Sequence, residues 1–276
     1  NNPVRKPLTE FNVKTTCKNC AHEYKGKFCP KCGQKAKTGR ITIRQVLNEM
    51  RQHFIHFDQG FLYTIRELIV RPGHTIREYI EGKRVNHIKP VKFMFWATAI
   101  NLLILHFVGL DQQIIDKVTE QQKNQSAKIN MMSQKLSGFI FDHPSILLLS
   151  MIPAIALCSW LLFRRRGYNY AEHFVISAFL MGEISLASIL SVPVSKFLNT
   201  ISTSTLPMTL FAVGIWVTYY GWSYGQLFQS GNRFWTWVKG GLAILLGYIL
   251  LLFIILIVTV TIVIFFKTQL QSWLES

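Results

Sequence analysis

Five apolar runs, each near the length that crosses a bilayer, constrain this chain more than any other feature. They are Phe93–Leu110, Ser145–Phe163, Phe174–Leu198, Leu206–Phe228 and Gly240–Phe266. Roughly 20 apolar residues span ~30 Å of hydrocarbon as a helix. Water is absent there, so the backbone must satisfy its own hydrogen bonds, which helices do. The sequence therefore predicts an all-α integral membrane protein of about five transmembrane helices. Glu183 interrupts the third run, and Pro193 is expected to kink it. The Trp and Tyr residues of Trp216–Tyr224, with Trp235 and Trp237, read as an interfacial belt.

Charge is spread unevenly against this pattern. Of 30 Lys and Arg, 19 lie between Arg5 and Lys92 with seven acids, a formal charge of +12. A basic front and an apolar back suit a membrane protein whose soluble part faces an anionic surface. The polar first sixteen residues argue against a cleavable signal peptide. Basic residues favour the cytoplasmic side of short loops. Residues 1–92, Arg164–Arg166, Arg233 and Lys239 then lie inside, and the predicted topology is N-terminus cytoplasmic, C-terminus extracytoplasmic. The polar stretch 111–143, with apolar stripes at helical spacing, becomes an extracytoplasmic loop capping the bundle. The expected setting is a bacterial inner membrane.

Four of the five cysteines sit in the basic front as Cys17-Lys-Asn-Cys20 and Cys29-Pro-Lys-Cys32-Gly33. Each C-x2-C pair suits a knuckle that aims two thiolates at one ion, and four thiolates make a closed tetrahedral site. Zinc is the expected metal, with iron the alternative for the same ligands. Residues 1–39 thus read as a zinc ribbon with a flanking tail. Such a ribbon either folds a segment too short for its own core or docks a partner. Lys18, Lys25, Lys27, Lys31, Lys35 and Lys37 surround it. Only Tyr24 and Phe28 offer stacking surfaces, which disfavours nucleic acid and leaves anionic lipid or a cytoplasmic protein as partner. Cys158, in an apolar run, reads as a packing residue.

Residues 40–92 read as amphipathic juxtamembrane helices. Thr42 is a candidate N-cap, followed by Ile43, Val46, Leu47, Met50, Phe54 and Phe57 at helical spacing. A second helix is expected over Gly60–Arg71 and a third over Thr75–Glu81, with Pro72-Gly73 between them and Gly82 as a left-handed cap. The basic residues Arg71, Arg77, Lys83, Arg84 and Lys89, together with Arg164, Arg165 and Arg166, are candidate lipid or partner contacts; the null for Arg164–Arg166 is a topology signal.

The string Arg71-Pro72-Gly73, Ile76-Arg77-Glu78-Tyr79, Gly82-Lys83-Arg84, Lys89-Pro90 and Phe93 resembles a bacterial membrane-protein family catalogued as a domain of unknown function. The resemblance covers about residues 15–110, with Tyr170-Ala171-Glu172-His173 as a further point. It implies a four-cysteine ribbon ahead of apolar spans, and no activity. The layout of a cytoplasmic N-terminus before five spans is also similar to that of Yip-type trafficking proteins.

Within residues 93–276, Glu183 is the one acid well inside an apolar run, and Glu172 and His173 mark the start of the same run. A carboxylate in hydrocarbon faces the bundle interior, pairs or is protonated. It serves transport, lipid or proton chemistry, or it holds helices together. No Walker, GxGxxG or HExxH pattern occurs in the chain. The expectation is a non-enzymatic scaffold or partner-binding subunit; the alternative is a small transporter or lipid-handling protein using Glu183. Oligomeric state is left open.

Overall fold

The computed structural model describes residues 14–50, 60–109, 144–201, 206–229 and 231–274. The expected loop over 111–143, and Phe54 and Phe57, lie outside them. Two short strands, β1 (Thr15–Thr16) and β2 (Glu23–Tyr24), pair antiparallel, with Thr15 opposite Tyr24. Helices follow: α1 (Ile43–Met50), α2 (Gly60–Val70), α3 (Pro72–Glu81), α4 (Pro90–Val108), α5 (Pro144–Phe163), α6 (Tyr170–Ile201), α7 (Leu206–Leu227) and α8 (Arg233–Leu274).

Each expected apolar run is helical over nearly all of its described residues. Among the described residues, three helices are long and apolar enough to cross a membrane: α4, α6 over Tyr170–Leu190 and α8 over Arg233–Thr261. The α8 helix has 42 residues, about 63 Å at 1.5 Å per residue. It extends well beyond ~30 Å of hydrocarbon.

Local chemistry sets the helix ends. The Thr42 hydroxyl accepts the Gln45 N–H at 3.3 Å and starts α1. Pro72 ends α2 but also opens α3 at its first position, three residues before the expected Thr75. Proline has no N–H to lose there, and its fixed φ suits a first turn. Gly82, at φ +120°, closes α3 by donating its N–H to Glu78 and Tyr79 carbonyls. Asn169 starts α6 four residues earlier than expected. Its Oδ1 accepts the Glu172 N–H at 2.9 Å, while the Glu172 carboxylate accepts the Asn169 N–H at 2.7 Å. This is a reciprocal capping box. The α6 helix continues through Pro193.

Helix α4 lies against α6 and runs parallel to it. The missing Cβ of Gly182 admits the Phe93 ring and Met94 backbone, and Thr98 Oγ1 meets Ser185 Oγ at 3.4 Å. Helix α5 packs against α6 and α8, α7 against α8, and α3 lies across α7. The backbone of α7 at Ser223–Leu227 sits directly on Gly73, whose N–H donates to Gln226 Oε1 at 3.1 Å. Arg77 donates to the Gln226 carbonyl. One aromatic cluster joins α2, α3, α4 and α6 through Phe61, Phe93, Phe179 and Tyr79, with centroids 5.1–5.9 Å apart. A second joins Phe163, Tyr224 and Phe228, each pair with Phe163 at 4.8 Å.

The interfacial reading of residues 216–224 needs correction. Tyr220 and Tyr224 are fully buried. Tyr224 stacks on Phe163 of α5 at 4.8 Å and lies 6.5 Å from His173 of α6, and Tyr220, one helical turn back, stacks on Tyr224 at 6.4 Å. Trp235 is 60% exposed.

Candidate metal centre and the end of the bundle that carries it

The ribbon is built from two matching halves. In each, the N–H four residues after the first cysteine bonds back to its carbonyl: Ala21 to Cys17 at 2.9 Å and Gly33 to Cys29 at 2.8 Å. In each, the first cysteine N–H returns to a carbonyl five residues on, that of His22 at 2.9 Å and Gln34 at 2.8 Å. These turns need a left-handed residue. Gly33 supplies it at φ +74°, and Ala21 adopts it at φ +56°.

The two turns bring the four sulfurs within 4.8 Å of one another. Cys17 and Cys32 Sγ are 3.4 Å apart, and Cys20 and Cys29 Sγ 3.6 Å. None is in a disulfide. A tetrahedral ion with bonds of about 2.3 Å needs sulfurs about 3.8 Å apart, so Cys17, Cys20, Cys29 and Cys32 fit one metal ion. Burial raises the Cys17 thiol, but N–H bonds from Cys20 and Asn19 offset this and bring it down to about 7. Burial, with the neighbouring thiols, pushes Cys32 up to about 12. Four thiols this close cannot all ionise without a cation between them. The ribbon has little other core: Tyr24 and Ala36 pack against the cysteines.

The ribbon is tied to the helices. The Gln34 side chain donates to the Gly82 carbonyl and accepts the Arg84 N–H at 3.2 Å. Arg84 reaches the carbonyls of Tyr79 at 3.0 Å and Gly39 at 3.1 Å. Arg40 forms a two-pronged pair with Glu172 at 2.9 and 3.0 Å, and Asn169 donates to the Ile41 carbonyl at 3.0 Å. The ribbon, the starts of α4, α6 and α8 and the ends of α5 and α7 therefore share one end of the bundle.

Most of the candidate contact residues at this end are engaged inside the protein. Arg71 pairs with Glu67 and with Glu78 at 3.4 Å, and Lys83 with Glu78 at 3.2 Å. Arg77 meets His74 Nδ1 at 3.0 Å as well as Gln226. Lys89 occupies the N-cap position of α4. Burial acts to raise the Glu78 carboxyl, but the bonds from Lys83 and Arg71 prevail and hold it below its ordinary 4.5. Arg164, Arg165 and Arg166 form a 3₁₀ turn after α5.

The three candidates on α6 are all buried. Glu172 is held by Arg40 and the capping box. His173 Nδ1 meets Ser159 Oγ of α5 at 3.0 Å. Its ring stacks near Phe163 and Tyr224 at 6.4 and 6.5 Å. Glu183 follows Gly182, which takes the Phe93 ring of α4, and lies within electrostatic reach of Tyr219 on α7. Glu183 Oε2, His173 Nε2, Ser177 Oγ and the Tyr220 hydroxyl have no hydrogen-bond partner among the described residues. Sequence reasoning missed Arg40, Gln34, Asn169 and Ser159. The Asn169-x-x-Glu172 spacing was a visible capping signal; the other three act across 14 to 132 residues.

A family model described as a protein of unknown function, DUF3667, matches residues 58–102. The match takes in α2, α3 and the first two thirds of α4, including the Gly73 and Arg77 seam on α7, and leaves the ribbon outside. No curated protein and no solved structure matches the chain.

Proposed function

We propose that this chain is a five-span bacterial inner-membrane protein, N-terminus cytoplasmic and C-terminus extracytoplasmic, whose ribbon holds one Zn²⁺. Ribbon and helices α1–α3 form a fixed, non-catalytic platform that docks a cytoplasmic protein with an acidic surface. The observation that carries this is the rigid tie of the ribbon to α3 and α6 while its outer face stays open. Lys25, Lys31, Lys35 and Phe28 are exposed there. Tyr24 is buried, so few rings remain for stacking on bases, and a protein is favoured over nucleic acid. A zinc-held fold prepays the ordering cost of its docking face.

The test is co-purification from native membranes in mild detergent. The triple variant Lys25→Glu, Lys31→Glu, Lys35→Glu should keep its zinc and lose a soluble partner that the wild type retains. Identical partner sets with intact zinc would refute the platform. Single cysteines placed at Lys6 and in the 111–143 loop should label from opposite sides; equal labelling from outside would refute the topology.

The alternative, chemistry at Glu183, is favoured by its buried, unpartnered oxygen. Against it, α4 packs closely on the neighbouring Gly182 through Phe93 and Met94.

A further inference from the structure

We propose that the cleft between the end of α5 and the first turns of α8 is a binding site for the phosphate of an anionic membrane phospholipid. This rests on the reading above that this end of the bundle lies at a membrane surface.

The cleft has a volume of about 400 Å³ and is lined by Arg164, Arg165, Arg166, Lys239, Asn232 and Trp235, among others. Four cations converge with no carboxylate in the lining. Elsewhere at this end, Arg40, Arg71 and Lys83 each have a glutamate. No salt bridge reaches Arg164, Arg165 or Lys239 among the described residues. Arg166 lies over the Phe228 ring at 5.8 Å, which holds one wall of the cleft in place. Like charges gathered in a concave site repel one another and favour an anion. Arginine forks match phosphate oxygens two at a time. The start of α8 adds the positive end of a helix dipole. Asn232 Oδ1 already accepts the Phe234 and Trp235 N–H groups at 2.9 and 3.4 Å, so this end is built and ordered.

The surface below the cations identifies the rest of the ligand. From Trp235 and Lys239, the same face of α8 continues through Leu242 and Leu246, at spacings of four, three and four. These leucines are 41% and 42% exposed. On α5, Leu161 in the lining is 51% exposed, and Leu157, one turn along, 38%. An apolar strip thus leads away from a cationic cleft, with the exposed Trp235 at its rim. Charge at one end and apolar surface below match a phospholipid, headgroup and acyl chain together, better than a free anion. Tryptophan is the residue favoured at that boundary.

The test uses the full chain purified in a neutral maltoside detergent. Short-chain phosphatidylglycerol, short-chain phosphatidylcholine and inorganic phosphate are titrated, with thermal stability and native mass spectrometry as readouts. Phosphatidylglycerol should bind at least tenfold tighter than phosphatidylcholine. The variant Arg165→Gln, Lys239→Gln should lose that preference. A charge-matched ribbon variant, Lys25→Gln, Lys31→Gln, should keep it. The exposed single variant Lys239→Glu gives the same reading should the double variant misfold, shown by lost zinc or a lowered melting point without lipid. Equal binding of the two lipids, or unchanged preference in the Lys239→Glu chain, overturns the proposal. So does inorganic phosphate that matches phosphatidylglycerol, which would make the site one for a free anion. Loss of preference in the ribbon variant alone would place the lipid there and overturn it too. Binding in detergent needs no orientation, so failure here with correct cysteine labelling sinks the cleft and leaves the topology standing.

Discussion

Replacing Gly73 with alanine tests whether the Arg71–Gly73 string is a packing seam. A Cβ at Gly73 would overlap the Ser223 carbonyl oxygen and stand 2.5 Å from the Leu227 nitrogen. Non-bonded atoms settle near 3.5 Å or beyond, so α3 and α7 must part by on the order of 1 Å. Both obstacles are backbone and cannot rotate away. Overpacking of this kind costs about 1–3 kcal/mol. Separation also strands the buried Gly73 N–H from Gln226 Oε1, worth about 1–3 kcal/mol more. The sum is on the order of 2–6 kcal/mol, a fall in melting temperature of roughly 4–24 °C at about 2–4 °C per kcal/mol. Gly225 on α7 is the control: a Cβ there meets only Arg233 Cγ at 3.9 Å. Alanine at a mid-helix glycine gains about 0.5–1 kcal/mol, so Gly225→Ala should hold or raise the melting point. Far-UV circular dichroism melts of both variants in one detergent decide it. Equal behaviour of the two variants would refute the close α3–α7 contact.

The double variant Cys17→Ser, Cys20→Ser should reduce zinc to background by elemental analysis while membrane insertion is unchanged; retained zinc would remove the assignment. Gly33→Ala should cost about 1 kcal/mol from its left-handed backbone alone, since nothing lies within 4 Å of the added carbon; a loss of several kcal/mol in zinc-loaded protein would contradict the open geometry. Glu78 is held below 4.5 in the fold, so its contribution is complete above that pH and is lost as pH falls through the depressed value. Glu78→Gln should therefore melt lower than wild type at pH 7 and converge with it in acid, and a gap that persists at low pH would point to lost packing instead. If Glu183 only bonds between helices, Gln should replace it without loss and Leu should cost ~1–2 kcal/mol; a Gln variant that folds but loses a growth or partner-binding phenotype would reinstate the chemical reading.

Sequence alone shows the features that depend on neighbours along the chain. The C-x2-C spacing and Gly33 announce the two turns that gather four sulfurs. Thr42 and Gly82 announce helix ends. The apolar runs announce helices, because each buries or greases a whole surface. Pairings across the fold carry no such local mark. Nothing near Arg40 indicates that its partner is Glu172, or that Gln34 will bind Gly82. Tyr220 and Tyr224 misled for a similar reason. A tyrosine near the end of an apolar run looks the same whether it faces headgroups or stacks on Phe163, and only the packing of α7 against α5 and α6 decides.

The cations at this end of the bundle form two populations with opposite electrostatics. Arg40, Arg71, Arg77, Lys83 and Arg84 turn inward onto glutamates, a histidine and helix-end carbonyls. Helix C-termini and carboxylates leave negative potential to be neutralised at this end, and these residues supply it. Removing one of them would unfasten the platform rather than weaken a ligand. Lys25, Lys31 and Lys35 on the ribbon, with Arg164, Arg165 and Lys239 at the α5–α8 cleft, are exposed and make no salt bridge among the described residues. Their charge is uncompensated within the fold, so it raises the local potential and is free to act on something outside the chain. Charge count treats the two populations alike. The distances separate a brace from outward charge, which lies at two places: the ribbon face and the α5–α8 cleft.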